Sequence, residues 1–96
     1  MKHLVLFRFE SHFLTSDRIL EAEHALDELK MALPQNILTT AVRRNCVQRD
    51  VNYDLLMELE LADETSLEKY LQHPVHMRLV KEWSPHITGR VSFDFY

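Results

Sequence analysis

The sequence predicts an α+β domain in which a four-stranded antiparallel sheet carries its helices on one face. Apolar residues alternate along three short segments, which is the period of a half-buried strand, and a fourth segment is rich in residues with β propensity. Apolar residues recur every three or four residues along two longer segments, which is the period of a helix. The segments follow one another as β-α-β-β-α-β, the order of the ferredoxin-like split β-α-β arrangement. The 96 residues are enough for a single domain, predicted to span 1–96.

The first strand and the first helix have clear sequence limits. The inner face of the strand predicted over residues 2–10 consists of His3, Val5, Phe7 and Phe9. A helix is predicted over residues 16–33, because apolar residues form one stripe along it. Side chains in Thr15-Ser16-Asp17 offer N-cap oxygens. Pro34 ends the helix, since its ring cannot follow another helical turn.

Two further strands are predicted at residues 36–47 and 53–61. Cys46, the only cysteine, falls in the earlier strand and is interpreted as a small apolar packing residue. The apolar face of the later strand consists of Tyr53, Leu55, Met57, Leu59 and Leu61.

The second helical region begins near residue 63 and is predicted to break in the middle. Asp63 is a candidate N-cap, with a capping box in Thr65–Glu68 as the alternative. Pro74 lacks the N–H that a continuous helix would use, so two helical segments should meet at His73. A last strand is predicted over residues 90–96, with one face formed by Val91, Phe93 and Phe95.

The outer face of the sheet, away from the helices, predicts a homodimer. It is expected to mix apolar and charged residues: Leu4, Leu6, Leu56, Arg8, Glu58, Glu60 and Asp94. The helices cannot cover this face, and a small chain without a disulfide commonly gains stability by oligomerisation. A second copy of the sheet would bury it.

Composition excludes several classes of function. The net charge of −4 and the lack of a Lys/Arg run are unfavourable for nucleic-acid binding. No apolar run approaches the roughly 18 residues of a membrane span. The apolar stretch near the N-terminus is short and interrupted by Arg8, so no signal peptide is predicted and a cytoplasmic location is expected. A single glycine excludes a glycine-rich nucleotide loop, and no cofactor is predicted.

Three residues form the candidate catalytic site: His3, Tyr70 and His76. Strand parity turns His3 towards the helices, while Tyr70 and His76 flank the proline break. Two imidazoles and a phenol in one pocket could transfer protons near neutral pH. Both histidines could instead be hydrogen-bonded core residues. The expected ligand-binding wall comprises His73, Val5, Phe7, Leu79 and Trp83.

A metal site is an alternative interpretation of the same histidines, and it is not predicted. His73 and His76 are spaced i, i+3, and His3 could supply a third nitrogen. However, no carboxylate lies nearby in sequence, and Pro74 disturbs the helical geometry.

Four stretches together resemble the stress-responsive dimeric A/B-barrel (Dabb) family over essentially the whole chain. They are Lys2–Phe9, Tyr53–Leu55, the Tyr-x-x-His-Pro-x-His block of Tyr70–His76, and Val91–Phe95. The resemblance implies a ferredoxin-like subunit whose sheet packs against that of a second subunit, giving a dimeric α/β barrel. Some plant relatives are stress proteins. One branch consists of cofactor-independent polyketide cyclases, which close a poly-β-keto chain by aldol condensation.

The resemblance also implies site residues and alternative functions. The cyclase branch uses a strand-one histidine, a tyrosine and the second histidine of the block, which match His3, Tyr70 and His76. The first alternative is a Dabb-type domain of undefined activity that binds a small molecule between sheet and helices. The second is a cofactor-independent cyclase or aldol-type lyase acting on a small carbonyl compound, with His76 as general base, Tyr70 on the carbonyl oxygen and His3 holding the network. The third is an antibiotic-biosynthesis-type monooxygenase, whose barrels share the fold but not the block.

Overall fold

The computed structural model describes residues 1–96 and has the predicted order of elements. The strands are β1 Lys2–Phe9, β2 Ile37–Arg44, β3 Leu55–Leu61 and β4 Ile87–Phe95. The helices are α1 Ser16–Ala32, α2 Glu64–Gln72 and α3 Pro74–Trp83. A short 3-10 turn at Ser84–His86 joins α3 to β4.

The strands form one sheet in the order β2-β3-β1-β4, with every neighbouring pair antiparallel. β1 and β3 occupy the centre, and β2 and β4 are the edges. Side chains from the helices pack with the odd-numbered residues of β1 and β3. The predicted fold class, a ferredoxin-like α+β subunit with helices on one face, is confirmed.

Local sequence signals set the helix limits. The Asp63 carboxylate accepts the backbone N–H of Ser66 at 2.8 Å and its hydroxyl at 2.8 Å, so Asp63 caps α2. These two hydrogen bonds lower the pKa of the Asp63 carboxyl. α2 ends before His73, whose backbone is extended, and Pro74 starts α3. The predicted break at Pro74 is confirmed.

The core comprises two adjacent clusters on the helical side of the sheet. The first is aliphatic and lies mainly between α1 and strands β2 and β3; its most deeply buried members are Leu26, Leu29, Ile37, Leu59 and Leu61. The second is aromatic, and in it Trp83 meets Phe9 and Phe13 edge-to-face at centroid distances of 5.5 Å. Edge-to-face pairs are favourable because ring edges are positive and ring faces negative.

Two predictions around the β2–β3 connection were wrong. β2 ends at Arg44, so Cys46 lies in the following loop and is exposed rather than packed. The Asn45 side chain donates to the Val47 carbonyl at 2.6 Å and holds the chain in a turn. Tyr53 precedes β3 and lies under the Arg8 guanidinium, 4.6 Å from ring centroid to Cζ, instead of joining the apolar face of β3.

The predictions for β4 need two corrections. The strand starts at Ile87 rather than residue 90, because β1 continues pairing with it through a bulge at Arg8/Phe9. Its faces are also the reverse of those expected. Residues directly opposite in an antiparallel pair share a face, and β1 pairs His3 with Asp94 and Leu4 with Phe93. Asp94 therefore points towards the helices.

The outer face of the sheet is consequently more apolar than the sequence suggested. Its apolar residues are Leu4, Leu6, Leu56, Val91, Phe93 and Phe95. Phe93 is 64% exposed in the single chain. Lys2 on this face forms ion pairs with Glu58 and Glu60, each at 3.7 Å.

Candidate functional site

A cavity of about 420 Å³ lies between strands β1 and β4 and helices α2 and α3. His3, Tyr70 and His76 all line it. The predicted wall residues Val5, Phe7, Leu79 and Trp83 line it as well. This combination of a mostly apolar wall and a few converging polar groups is typical of small-molecule sites.

His3 is held by a carboxylate from the neighbouring strand. Its side chain is only 7% exposed, and its Nδ1–H donates to a carboxylate oxygen of Asp94. A carboxylate in this position holds an imidazole in one tautomer and stabilises the imidazolium that forms when the ring takes a proton. Nε2 is left as the acceptor of the His3 ring.

Tyr70 lies between the two imidazoles. Its ring centroid is 5.9 Å from that of His3 and 4.6 Å from that of His76. Burial raises the pKa of Tyr70, with no hydrogen bond contributing, so the phenol keeps its proton at neutral pH. No fully buried side-chain oxygen or nitrogen lacks a partner. The Tyr70 hydroxyl is therefore open to the cavity, where it can donate to a ligand.

The proline break positions His76. In a continuous helix the N–H of Val75 would donate to the carbonyl of Leu71. It donates instead to the His73 ring Nδ1 at 3.1 Å. The freed Leu71 carbonyl accepts a hydrogen bond from His76 Nδ1–H at 2.9 Å. A carbonyl oxygen can only accept, so Nδ1 carries the proton and Nε2 has a free lone pair.

The surroundings of His76 favour the neutral ring. Burial is the largest cause that lowers its pKa, and positive charge on His3, when that ring is protonated, and on Arg90 acts in the same direction. The hydrogen bond to Leu71 opposes them without cancelling them. His76 is therefore an imidazole able to accept a proton at neutral pH.

His73 has a different position from the one predicted. It is not among the residues that line the cavity, because its ring caps the N-terminus of α3. For the same reason His73 does not converge with His3 and His76, as a three-histidine metal site would require. The structure shows no group of three His, Cys, Asp or Glu side chains placed to hold a metal ion.

Sequence reasoning missed the polar wall that β4 contributes. Arg90, Ser92 and Asp94 line the cavity. Their alternation is visible in the sequence, but the sequence prediction places Asp94 on the outer face of the sheet. The polar character of the strand end that faces His3 could have been found only from its register with β1.

Comparison with known protein families identifies the domain. Residues 1–96 match the model of the stress responsive A/B barrel domain, Dabb. The chain belongs to the Dabb family. No curated protein matches the sequence. None of the helices of this Dabb domain has the length and hydrophobicity needed to cross a membrane.

Solved structures share the fold over nearly the whole chain. A dimeric ferredoxin-like protein of unknown function from Thermobifida fusca is 26% identical, with a TM-score of 0.78 over 98% of this chain and 87% of that one. A similar dimeric protein of unknown function from Jannaschia is 26% identical, with a TM-score of 0.76 over 99% and 96%. The hydroxynitrile lyase of Passiflora edulis is 15% identical, with a TM-score of 0.75 over 98% and 89%. This last likeness shows the fold alone.

Proposed function

We propose that this Dabb domain binds a small carbonyl or hydroxyl compound in its cavity and transfers protons to and from it without a cofactor. The observation that carries the proposal is the meeting of three complementary groups in one cavity. Tyr70 supplies a hydroxyl that no protein group engages. His3 and His76 each have Nδ1 occupied, which leaves Nε2 as a base.

These groups suit an aldol-type lyase or cyclase. In the lyase direction, His76 takes the proton of the substrate hydroxyl, and the oxygen electrons form a carbonyl while the adjacent C–C bond breaks. The leaving carbon then takes the proton back. Tyr70 donates a hydrogen bond to the oxygen whose charge changes, which stabilises the transition state. The His3–Asp94 pair holds the ring in its tautomer and can exchange a second proton.

The relatives agree with this proposal without deciding it. One structure of this fold is named as a hydroxynitrile lyase. Two others, more similar in sequence, have no known function, which leaves a binding domain of undefined activity as the other candidate. A cytoplasmic location and a link to stress stay predictions.

Two probes that release benzaldehyde test the chemistry. 4-Hydroxy-4-phenylbutan-2-one undergoes retro-aldol cleavage and mandelonitrile loses hydrogen cyanide, and the aldehyde is followed by its absorbance. We expect the wild-type protein to accelerate at least one cleavage over buffer. His76→Ala should lower that rate by about 10²–10⁴-fold, as the loss of a general base does.

His24→Ala is the matched control, because His24 is exposed on α1. It should leave the rate unchanged. If the wild-type protein cleaves neither probe, although NMR shows both probes binding beside His3 and His76, the binding-domain alternative is supported instead. If His24→Ala slows the reaction as much as His76→Ala, the assigned role of His76 is wrong.

We also propose that the domain is a homodimer formed through the outer face of the sheet. The apolar side chains on that face have no covering element in the single chain. Both relatives at 26% identity are described as dimeric. A two-fold interface would place the same residues of both copies against each other.

Leu6→Asp tests the dimer. Removing a buried leucine side chain costs about 2 kcal/mol, and two-fold symmetry doubles this, so the dimer should weaken by roughly a thousandfold. Met31→Asp is the control, since Met31 is 82% exposed on α1 and should leave the dimer intact. Light scattering at micromolar concentration measures the molecular mass of both variants. A wild-type protein of monomeric mass contradicts the proposal.

A further inference from the structure

The polar wall of the cavity is arranged in a row along one edge strand. On β4, Arg90, Ser92 and Asp94 share the inner face and lie opposite Phe7, Val5 and His3 of β1. Successive residues on one face of a strand are about 6.6 Å apart. The backbone positions of Asp94, which pairs with His3, and Arg90 are therefore about 13 Å apart along the strand.

The two charges in this row differ in their partners. The Asp94 carboxylate is paired with the His3 ring. Arg90 takes part in none of the ion pairs of the chain, although it lines the cavity. Arg90 is thus a cation on the cavity wall that no protein carboxylate pairs with.

The surroundings of Arg90 define the rest of the ligand. The cavity wall near its end of the row is apolar and aromatic, and includes Phe7, Trp83 and Ile87. The Ser92 hydroxyl is a second donor one step along the row. The Arg90 charge also reaches His76, where it helps to keep the ring neutral. An anionic group bound at Arg90 would therefore sit within electrostatic range of the base.

We infer that Arg90 binds the carboxylate of the substrate, and that the substrate class is small hydroxy or keto acids with an apolar or aromatic body. This inference rests on the proposed function and names the substrate of that same cavity. A guanidinium matches a carboxylate through two parallel N–H···O bonds. The apolar body lies against the aromatic wall, while the hydroxyl or carbonyl oxygen points to Tyr70 and His76.

A matched pair of probes tests the inference on the full-length protein. 3-Phenylpropanoate and 3-phenylpropanamide have the same body and differ in charge at one end. Isothermal titration should show the acid binding about fivefold more tightly, the upper end of what a solvent-accessible ion pair contributes. Arg90→Gln should remove the preference for the acid and leave the affinity for the amide unchanged.

Two further variants separate binding from general electrostatics. Arg90→Lys keeps the charge without the planar fork, so it should retain part of the preference. Arg78→Gln removes an equal charge from the exposed side of α3, where Arg78 is 3.8 Å from Glu28. It should keep the full preference for the acid. An equal loss in Arg78→Gln and Arg90→Gln would overturn the inference.

The remaining outcomes also decide the question. If both probes bind beside His3 and His76 with equal affinity, the cavity binds small molecules as proposed but Arg90 does not select acids. If neither probe binds, the inference and the proposed small-molecule function fail together. If Arg90→Gln leaves acid binding unchanged but self-associates in light scattering, Arg90 serves as an inward charge that protects an edge strand, and the inference is wrong.

Discussion

The sheet supports two different interiors side by side. Between α1 and strands β2 and β3, aliphatic side chains fill the space, and Leu29, Leu59 and Leu61 are 0% exposed. Between β1, β4 and helices α2 and α3, the space is a cavity of about 420 Å³. The same helical layer therefore provides a packed half and a hollow half.

The composition of strands β3 and β4 explains the difference. The inner face of β3 is wholly apolar, so helices can pack directly on it. The inner face of β4 carries Arg90, Ser92 and Asp94, and burying such groups against hydrocarbon without partners would cost several kcal/mol. The helices therefore do not pack directly on β4, and the space between them is the cavity that a ligand could occupy.

The largest expected difference concerns side-chain truncation in the two halves. Leu59→Ala should lower the free energy of unfolding by about 3 kcal/mol, because it leaves a void in a close-packed region. Leu79→Ala should lower it by only about 1 kcal/mol, because Leu79 already borders the cavity and is half-buried. Urea denaturation at one fixed protein concentration measures both. Equal losses would mean that the two halves are equally well packed.

A smaller difference is expected for the hydroxyls of two buried residues, Ser66 and Tyr70. Ser66 is fully buried; its hydroxyl donates to Asp63 at 2.8 Å and accepts from the Asn36 amide at 3.0 Å. Ser66→Ala removes both hydrogen bonds, although Asp63 still accepts the Ser66 backbone N–H, and should cost about 1–2 kcal/mol. Tyr70→Phe removes a hydroxyl without a protein partner and should change stability by less than about 0.5 kcal/mol, while slowing benzaldehyde release. A Tyr70→Phe protein that is as destabilised as Ser66→Ala would show that the hydroxyl is structural.

The smallest expected effect is on the pH dependence of the free energy of unfolding, through His76 in the cavity. The pKa of His76 lies below the ordinary 6.5 in the folded chain because of burial. As the pH falls below 6.5, the unfolded chain takes up a proton there before the folded chain does, so the free energy of unfolding decreases. His76→Gln should therefore lose less stability than the wild type between pH 7 and about 5.

NMR titration of the His76 ring checks the cause directly. Its midpoint should lie below 6.5, the ordinary value. His24→Gln is the control, since its exposed side chain should leave the wild-type pH dependence unchanged. A His76 midpoint above 6.5 would contradict the neutral ring on which the proposed base depends.

The sequence by itself determined the features that depend on neighbouring residues. The order of elements follows from hydrophobic period, the start of α2 from Asp63, and the α2–α3 break from Pro74. The inward direction of His3 follows from its alternation with Val5 and Phe7. These signals are local, because caps, proline breaks and strand parity act within a few residues. They were enough to find all three members of the candidate catalytic group.

Only the tertiary structure decided what surrounds that group. Alternation divides β4 into two faces but does not say which face turns inward, and the pairing of Asp94 with His3 settles it through the register with β1. The capping role of His73 likewise depends on the tertiary structure, because its ring accepts the backbone N–H of Val75 only where the helix is broken. Register and cavity shape arise from contacts between residues far apart in the chain, which no local pattern records. The three candidate site residues are therefore visible in the sequence, whereas the carboxylate partner of His3 and the space for a ligand exist only in the fold.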